Sequence, residues 1–366
     1  MSAVKLELSD LKKSFAEVEA VKGLSFTLRR GEFLSLLGPS GCGKSTTLAM
    51  LAGFEEPTGG DILVDGKSVL NVAAHRRQIG LVFQDYAVFS RLKVRSNLAF
   101  GLEAQGVARA ERKRRIDEMA ERLDLRAILD QRAGGLNMSE MQRVALARVL
   151  VTEPQILLLD EPMSNLDAGL RYSLRSELKR IQQALNQTVL YVTHDQLEAI
   201  SLSDRIAVMR LGVLQQIGSP QEIYRHPVNR FVAEFIGDPP INLLDCEVAR
   251  DGSGVAVTSA LHGPLDLGEA EIQPGKHLLA IRPHDLRLSR QPAPGSATTT
   301  VRVVENLGAE HVLHIDYGDR LALATVAPGF AAEGERLEVT LDPERLHLID
   351  SASERVVTSR AMEATP

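Results

Sequence analysis

Four short stretches carry residue types that can hold and cleave a phosphate chain. The first is Gly38-Pro39-Ser40-Gly41-Cys42-Gly43-Lys44-Ser45-Thr46, which fits G-x-x-x-x-G-K-[ST], the P-loop spacing. An apolar run, Phe33 to Leu37, precedes it, and Thr47 to Ala52 reads as the start of a helix. A strand that feeds a glycine-rich turn at a helix N-terminus presents a cup of backbone N–H groups, which attracts phosphate. In such a cup Lys44 reaches the β- and γ-phosphates and the Ser45 hydroxyl ligates Mg²⁺. The competing reading, a glycine-rich turn that matches by chance, needs both flanks to be coincidental. The second stretch is Asp160-Glu161, at the tip of the apolar run Gln155 to Leu159. Alone it reads as a solvated strand end. Beside a P-loop, Asp160 suits the metal and Glu161 an attacking water, and strand alternation points the two apart. The third and fourth are His194 and Gln84, which follow the apolar runs 188–192 and 79–83. A lone histidine is more often structural, but the C-terminal ends of strands are where open α/β sheets place their ligands. The Gln84 amide suits Mg²⁺ or water there and can sense the γ-phosphate.

The elements that must position these groups follow from the pattern of apolar residues. Val4 to Leu8 and Leu24 to Leu28 alternate as half-buried strands do. Between them Phe15 is either a core residue or a platform for a nucleotide base. Arg109 to Asp130 is dense in charge and broken by Ile116, Met119, Leu123 and Ile128, the pattern of a helical insert with a narrow apolar stripe. Leu170, Leu174, Leu178, Ile181 and Leu185 recur at helical spacing. Strands alternating with helices predict a mainly parallel sheet. After Gly237-Asp238-Pro239-Pro240 the runs become short and alternating, with Gly and Pro between them, which predicts a second, all-β domain. The expected organisation is an α/β domain over 4–236 with a helical part at about 90–155, a β domain over 237–350, and a loose tail over 351–366.

Bulk properties narrow the setting. The chain has 366 residues, enough for two domains, and 44% hydrophobic with 25% charged residues is the balance of a soluble globular protein. A net charge of −6 gives no general pull toward nucleic acid or anionic lipid. No apolar run approaches the ~18 residues of a membrane span, and the N-terminus begins no signal peptide. Cys42 and Cys246 have neither disulfide nor zinc spacing. A cytosolic protein with free thiols is expected, reaching a membrane only through a partner.

Together these residues resemble the ATP-binding cassette (ABC) ATPases, and within them the carbohydrate-importer subunits of the maltose and sn-glycerol-3-phosphate type. Residues 38–46 look like Walker A, 156–161 like Walker B with its catalytic glutamate, Gln84 like the Q-loop, Ser164-Asn165-Leu166-Asp167 like the D-loop, and His194 like the switch histidine. Phe15 falls where the family stacks an aromatic ring on adenine. Phe235-Ile236-Gly237-Asp238-Pro239-Pro240-Ile241-Asn242 and Ile281-Arg282-Pro283 are similar to the sugar-importer branch. The resemblance implies a P-loop nucleotide-binding domain followed by an OB-like regulatory domain, with ATP and Mg²⁺ as ligands. It also implies two membrane-spanning permease subunits, a solute-binding protein acting indirectly, no nucleic acid, and a peripheral place on the cytoplasmic face of the inner membrane. The second ATPase subunit of the pair is either an identical chain or a different one.

One stretch departs from the family. Its signature, Leu-Ser-Gly-Gly-Gln, should precede Gln142-Arg143-Val144-Ala145-Leu146-Ala147-Arg148, but Leu136-Asn137-Met138-Ser139-Glu140 stands there. In the family this loop closes on the γ-phosphate held by the other subunit. Asn137 is a competent helix N-cap. Met138 replaces a glycine, and Glu140 brings a negative charge toward a polyanion. A homodimer would then have two impaired sites. A heterodimer with an intact-signature partner would have one whole site, with this chain either hydrolysing ATP or acting as a weakly hydrolysing regulatory subunit. Cys42, inside the loop, is either a small filler residue or a thiol facing the site; alkylation of it is expected to block nucleotide binding, with ATP protecting.

Overall fold

The computed structural model describes residues 3–164, 166–251, 254–259, 261–266 and 272–359. The chain divides into two compact units at residue 220.

The first unit opens with an antiparallel hairpin, β1 (Val4–Phe15) and β2 (Val18–Arg29). Strand β3 (Phe33–Leu37), buried throughout, delivers the chain to the glycine-rich loop and to helix α1 (Lys44–Ala52). Strands β4 (Gly59–Val64) and β5 (Lys67–Ser68) return to the hairpin and complete a sheet in the order β2-β1-β4-β5. Strand β6 (Ile79–Val82) then leads into three helices, α2 (Val94–Ala104), α3 (Arg109–Arg122) and α4 (Met138–Leu150). The chain continues through β7 (Ile156–Asp160), α5 (Ala168–Leu185), β8 (Thr188–Thr193), α6 (Gln196–Leu202), β9 (Arg205–Arg210) and β10 (Val213–Gly218).

The second sheet runs β10-β9-β3-β8-β7-β6. It is parallel except for β10, as the alternation of strands and helices predicts. Its strands read as continuous apolar runs because both faces are covered. Leu34, Leu36, Leu158, Leu190 and Val192 pack toward the hairpin residues Leu6, Leu8 and Leu28. The alternate positions, Phe33, Leu157, Leu159, Val189 and Tyr191, join a core with Leu98, Ile116 and Val144 of the helices. The expected stripe of α3 is buried at Ile116 and Met119, while Glu111 pairs with Arg114 and Arg115 on its outer face.

The second unit begins with α7 (Pro220–Arg225) and α8 (Arg230–Phe235). The strands β11 (Asn242–Asp251), β12 (Gly254–Ser259), β13 (His262–Asp266), β14 (Gly275–Ile281) and β15 (Arg287–Ser289) follow. After them come β16 (Ala297–Asn306), β17 (His311–Tyr317), β18 (Arg320–Val326), β19 (Arg336–Thr340), β20 (His347–Asp350) and β21 (Val356–Ser359). They form two antiparallel sheets, β13-β12-β11-β14-β20-β21 and β15-β19-β16-β17-β18.

The division at 220 corrects the expected boundary at 236, and Arg282 supplies the reason. Its guanidinium, 3% exposed, donates to Ala233 O (3.1 Å), Tyr224 O (3.1 Å) and Ile236 O, so α7 and α8 are tied to the β structure. Ala233 also packs with Ile241, Ala280 and Ile349. Arg282→Met would leave three carbonyls without their donor. The second unit of the full chain is expected to lose about 2–4 kcal/mol, read by calorimetry as a lower midpoint for its transition. The loose tail is corrected too. Residues 356–359 pair with β20, and Arg230 N–H donates to Glu354 O (2.8 Å). Residues 360–366 lie outside the described residues.

Candidate nucleotide site

Because β6, β7, β8 and β3 are adjacent and parallel, their C-terminal ends set Gln84, Asp160 with Glu161, His194 and the glycine-rich loop in a row along one sheet edge. This brings together the groups singled out from sequence.

The loop is shaped by close backbone approach. A Cβ on Gly43, at φ +101°, would lie 2.5 Å from Ala20 O, and one on Gly38 would strike Met209 O. Strand β2 and the end of β9 thus press directly on the loop. Lys44 is 5% exposed and donates to Gly38 O (2.8 Å) and Pro39 O (3.0 Å). Its ammonium is satisfied within the loop, 4.0 Å from Glu161 Oε1. The Ser45 hydroxyl donates to Asp160 Oδ1 at 3.3 Å. Burial raises the Asp160 pKa, against the Ser45 hydrogen bond that lowers it. Two hard oxygens, side by side, are donors that suit Mg²⁺.

Glu161 leaves the strand with φ 43°, in the left-handed region, while its N–H donates to Val192 O (2.9 Å). This conformation costs about 1–3 kcal/mol for a residue with a Cβ and often marks a functional position. The carboxylate Oε2 meets His194 Nδ1 at 3.1 Å. A carboxylate beside an ammonium and an imidazole can accept a proton from water.

The Gln84 amide nitrogen donates to Ser164 Oγ (3.1 Å), which in turn donates to Glu161 O (3.0 Å); this bond engages the nitrogen and not the amide oxygen that would ligate Mg²⁺. Asn165, between Ser164 and Leu166, lies outside the described residues. Phe15 is 44% exposed at the tip of the β1–β2 hairpin, with Lys13 Nζ 4.7 Å from its ring centre. That exposure removes the core reading and leaves a ring face free for stacking.

Cys42 is buried beside the site rather than open to solvent. Its thiol is 2% exposed, packed among Leu36, Leu48 and Met209, and burial raises its pKa. The expectation of ATP-protected alkylation is therefore replaced by another. Cys42 should react with iodoacetamide roughly tenfold or more slowly than in unfolded chain, with or without ATP. Peptide mass spectrometry after timed labelling measures this.

Residues 136–140 form a tight helix start. Asn137 Oδ1 accepts from Glu140 N–H (2.9 Å) and Glu140 Oε2 accepts from Asn137 N–H (3.0 Å), a reciprocal capping box at the head of α4. The N-cap is as expected, and the Glu140 carboxylate is held on the helix head. Leu136 is buried, Ser139 half-buried and Met138 39% exposed.

Two contributors were not singled out from sequence. Arg148, near the end of α4, donates to Tyr86 O (3.2 Å) and Ala87 O, holding two consecutive residues with positive φ just after Gln84. Glu198, buried on α6, accepts from Tyr191 and Thr193. The arginine lies in a flank whose pattern was visible. A buried acid amid an apolar helix face was the available signal for the glutamate.

A glycine-rich loop between a central parallel strand and a helix, with an acidic pair on the end of the next strand but one, defines a P-loop nucleoside triphosphatase. The ABC transporter family model matches residues 21–164, and the TOBE domain model matches 279–349. The chain is 38% identical to the sn-glycerol-3-phosphate import ATP-binding protein UgpC 1 of Rhizobium johnstonii, covering 98% of this chain and 97% of that one. It is 41% identical to the trehalose/maltose import ATP-binding protein MalK of Thermococcus litoralis, over 96% and 99%. Among solved structures, cbiO1 from Clostridium perfringens, part of an ABC transporter complex, matches with a TM-score of 0.56 and 30% identity over 61% of this chain and 91% of that one. The chain belongs to the ABC transporter family, as an ATP-hydrolysing subunit. Among the described residues no helix is long and apolar enough to cross a membrane.

Proposed function

We propose that this chain drives an importer of a carbohydrate, polyol or glycerol-phosphate-like solute from the cytoplasmic face of the membrane. It does so with two membrane-spanning permease subunits and, indirectly, a solute-binding protein. The observation that carries the reading is the single row of Lys44, Asp160, Glu161 and His194 along one sheet edge. The solute class is supported by the relatives, whose names cover sn-glycerol-3-phosphate, trehalose/maltose and xylose/arabinose. Exposed aromatics support a permease contact. Phe54 stacks on Phe83 (6.1 Å) and Phe89 meets Phe100 edge-on (4.9 Å), although all four are 39–59% exposed. Such apolar patches mark protein interfaces.

The mechanism follows from the groups. Lys44 exchanges its two loop carbonyls for β- and γ-phosphate oxygens. Ser45 and Asp160 would hold Mg²⁺, which would supply positive charge beside the phosphates. Glu161 accepts the proton of the attacking water, and His194 stabilises charge spreading over the γ-phosphoryl oxygens. Tighter binding of ATP to the closed dimer shifts the population toward closure, and loss of phosphate reopens it.

The test is reconstitution in vesicles with the cognate permeases and binding protein. ATP hydrolysis should rise on addition of one sugar, polyol or glycerol phosphate, together with its uptake. A complex that hydrolyses ATP but answers to no such solute rejects the solute class.

A second reading, pairing with a different ATPase subunit, is favoured by residues 136–140. A carboxylate on the head of α4 and a side chain at Met138 oppose close approach of a phosphate. Counting ATPase polypeptides in the purified transporter tests it; two copies of this chain with brisk turnover reject it.

A further inference from the structure

Both neighbours of His194 are pinned, and both constraints converge on one buried acid. Thr193 Oγ1 donates to Glu198 Oε2 (2.6 Å) and accepts from Asp195 N–H (2.9 Å). Tyr191 OH donates to the same Oε2 (2.7 Å). Asp195 caps α6 by accepting from Glu198 N–H (3.0 Å), and its other oxygen pairs with Arg171 (3.3 Å). Arg171 in turn donates to Leu166 O at 3.1 and 2.9 Å. His194 is the exposed apex of this clamp, its side chain 51% exposed and Nδ1 3.1 Å from Glu161.

Glu198 is 3% exposed, and among the described residues no ion pair to a lysine or arginine joins it. Burying a carboxylate without a cation is unfavourable unless its hydrogen bonds are made. Here they are made to two hydroxyls on β8, the strand that leads directly to His194. A group that must meet a phosphate within a fraction of an ångström benefits from such a fixed loop, since small misplacements slow a reaction by large factors.

We propose that Glu198 is the positioning residue for His194, holding its loop through Tyr191 and Thr193 so that the imidazole faces both Glu161 and the γ-phosphate. This rests on the reading of His194 as a group that acts on the phosphate.

In the assembled transporter, Glu198→Ala should lower ATP turnover by about tenfold or more, with one ATP analogue still bound per copy of this chain. Glu198→Gln keeps an oxygen that can accept from both hydroxyls and should remain within about threefold of wild type. The decisive readout is the double-mutant cycle. His194→Ala with Glu198→Ala should be no slower than His194→Ala alone, because Glu198 acts only through the histidine. Multiplied losses in the double variant, or full turnover in Glu198→Ala, overturn the proposal. Should Glu198→Ala not fold, Tyr191→Phe with Thr193→Val removes the two donors, together with the acceptor of Asp195 N–H, and must show the same loss and the same cycle. If His194→Ala alone leaves turnover intact, the catalytic reading of the histidine fails and takes the positioning role with it, a result distinct from multiplied losses.

Discussion

Glu161→Gln is expected to reduce ATP turnover of the assembled transporter by about 10²–10⁴-fold, the usual contribution of a positioned general base, while ATP binding persists. The substitution changes neither volume nor backbone. The N–H bond to Val192 O (2.9 Å) does not involve the side chain, and an amide can still meet His194. What it removes is the capacity to take a proton and the charge facing Lys44 at 4.0 Å. Losing that negative neighbour leaves the ammonium more available to phosphate, so ATP affinity should hold or rise. Single-turnover hydrolysis of bound ATP, read beside equilibrium binding, separates the two quantities. A variant that keeps more than about a tenth of wild-type turnover would move the base elsewhere. A variant that loses binding as well would mean that Glu161 is holding the loop rather than acting on water.

The row of candidate groups was legible because each sits directly after an apolar strand, and a parallel sheet aligns such strand ends without further information. Phe33 to Leu37 and Ile156 to Leu159 are apolar on both faces, which is the mark of a covered strand. Strand order was not legible. That β7 and β8 separate β6 from β3 depends on connections whose packing is spread over many residues. Side-chain direction was legible only in part. Alternation does not reach Glu161, which lies beyond the end of β7, where a left-handed backbone turns its carboxylate toward His194. Cys42 was misjudged for a related reason. In a strand, neighbours alternate, but in a loop with Gly41 and Gly43 at positive φ no fixed period says which way the thiol points. The end of the first unit was misplaced because Gly237 to Pro240 looks like a linker. Arg282, a distant residue in sequence, is what attaches the preceding helices to the second unit.

Restoring residues 136–140 toward the family pattern, by Met138→Gly with Glu140→Gln, is expected to raise turnover at the ATP site that this loop completes by roughly tenfold. The capping box shows why the change tests charge rather than folding. Glu140 holds its carboxylate on Asn137 N–H at 3.0 Å, and a glutamine at that position makes the same bond. Helix α4 therefore keeps its start, and an exposed Met138 takes little packing with it; a glycine there costs up to about 1 kcal/mol. The gain is the removal of a like charge from the path of a phosphate, worth ~1 kcal/mol in water at 4 Å and more where water is excluded, together with the backbone access that a side chain denies. The same pair of changes distinguishes the two dimers when placed on a Glu161→Gln background. In a homodimer both sites then lack their base, and the repaired loop has nothing to accelerate. In a heterodimer the repaired loop serves the P-loop of a partner whose own glutamate is intact, so turnover should return through that second site. Recovery of hydrolysis in the triple variant would identify a different partner subunit, and continued inactivity would identify a second copy of this chain.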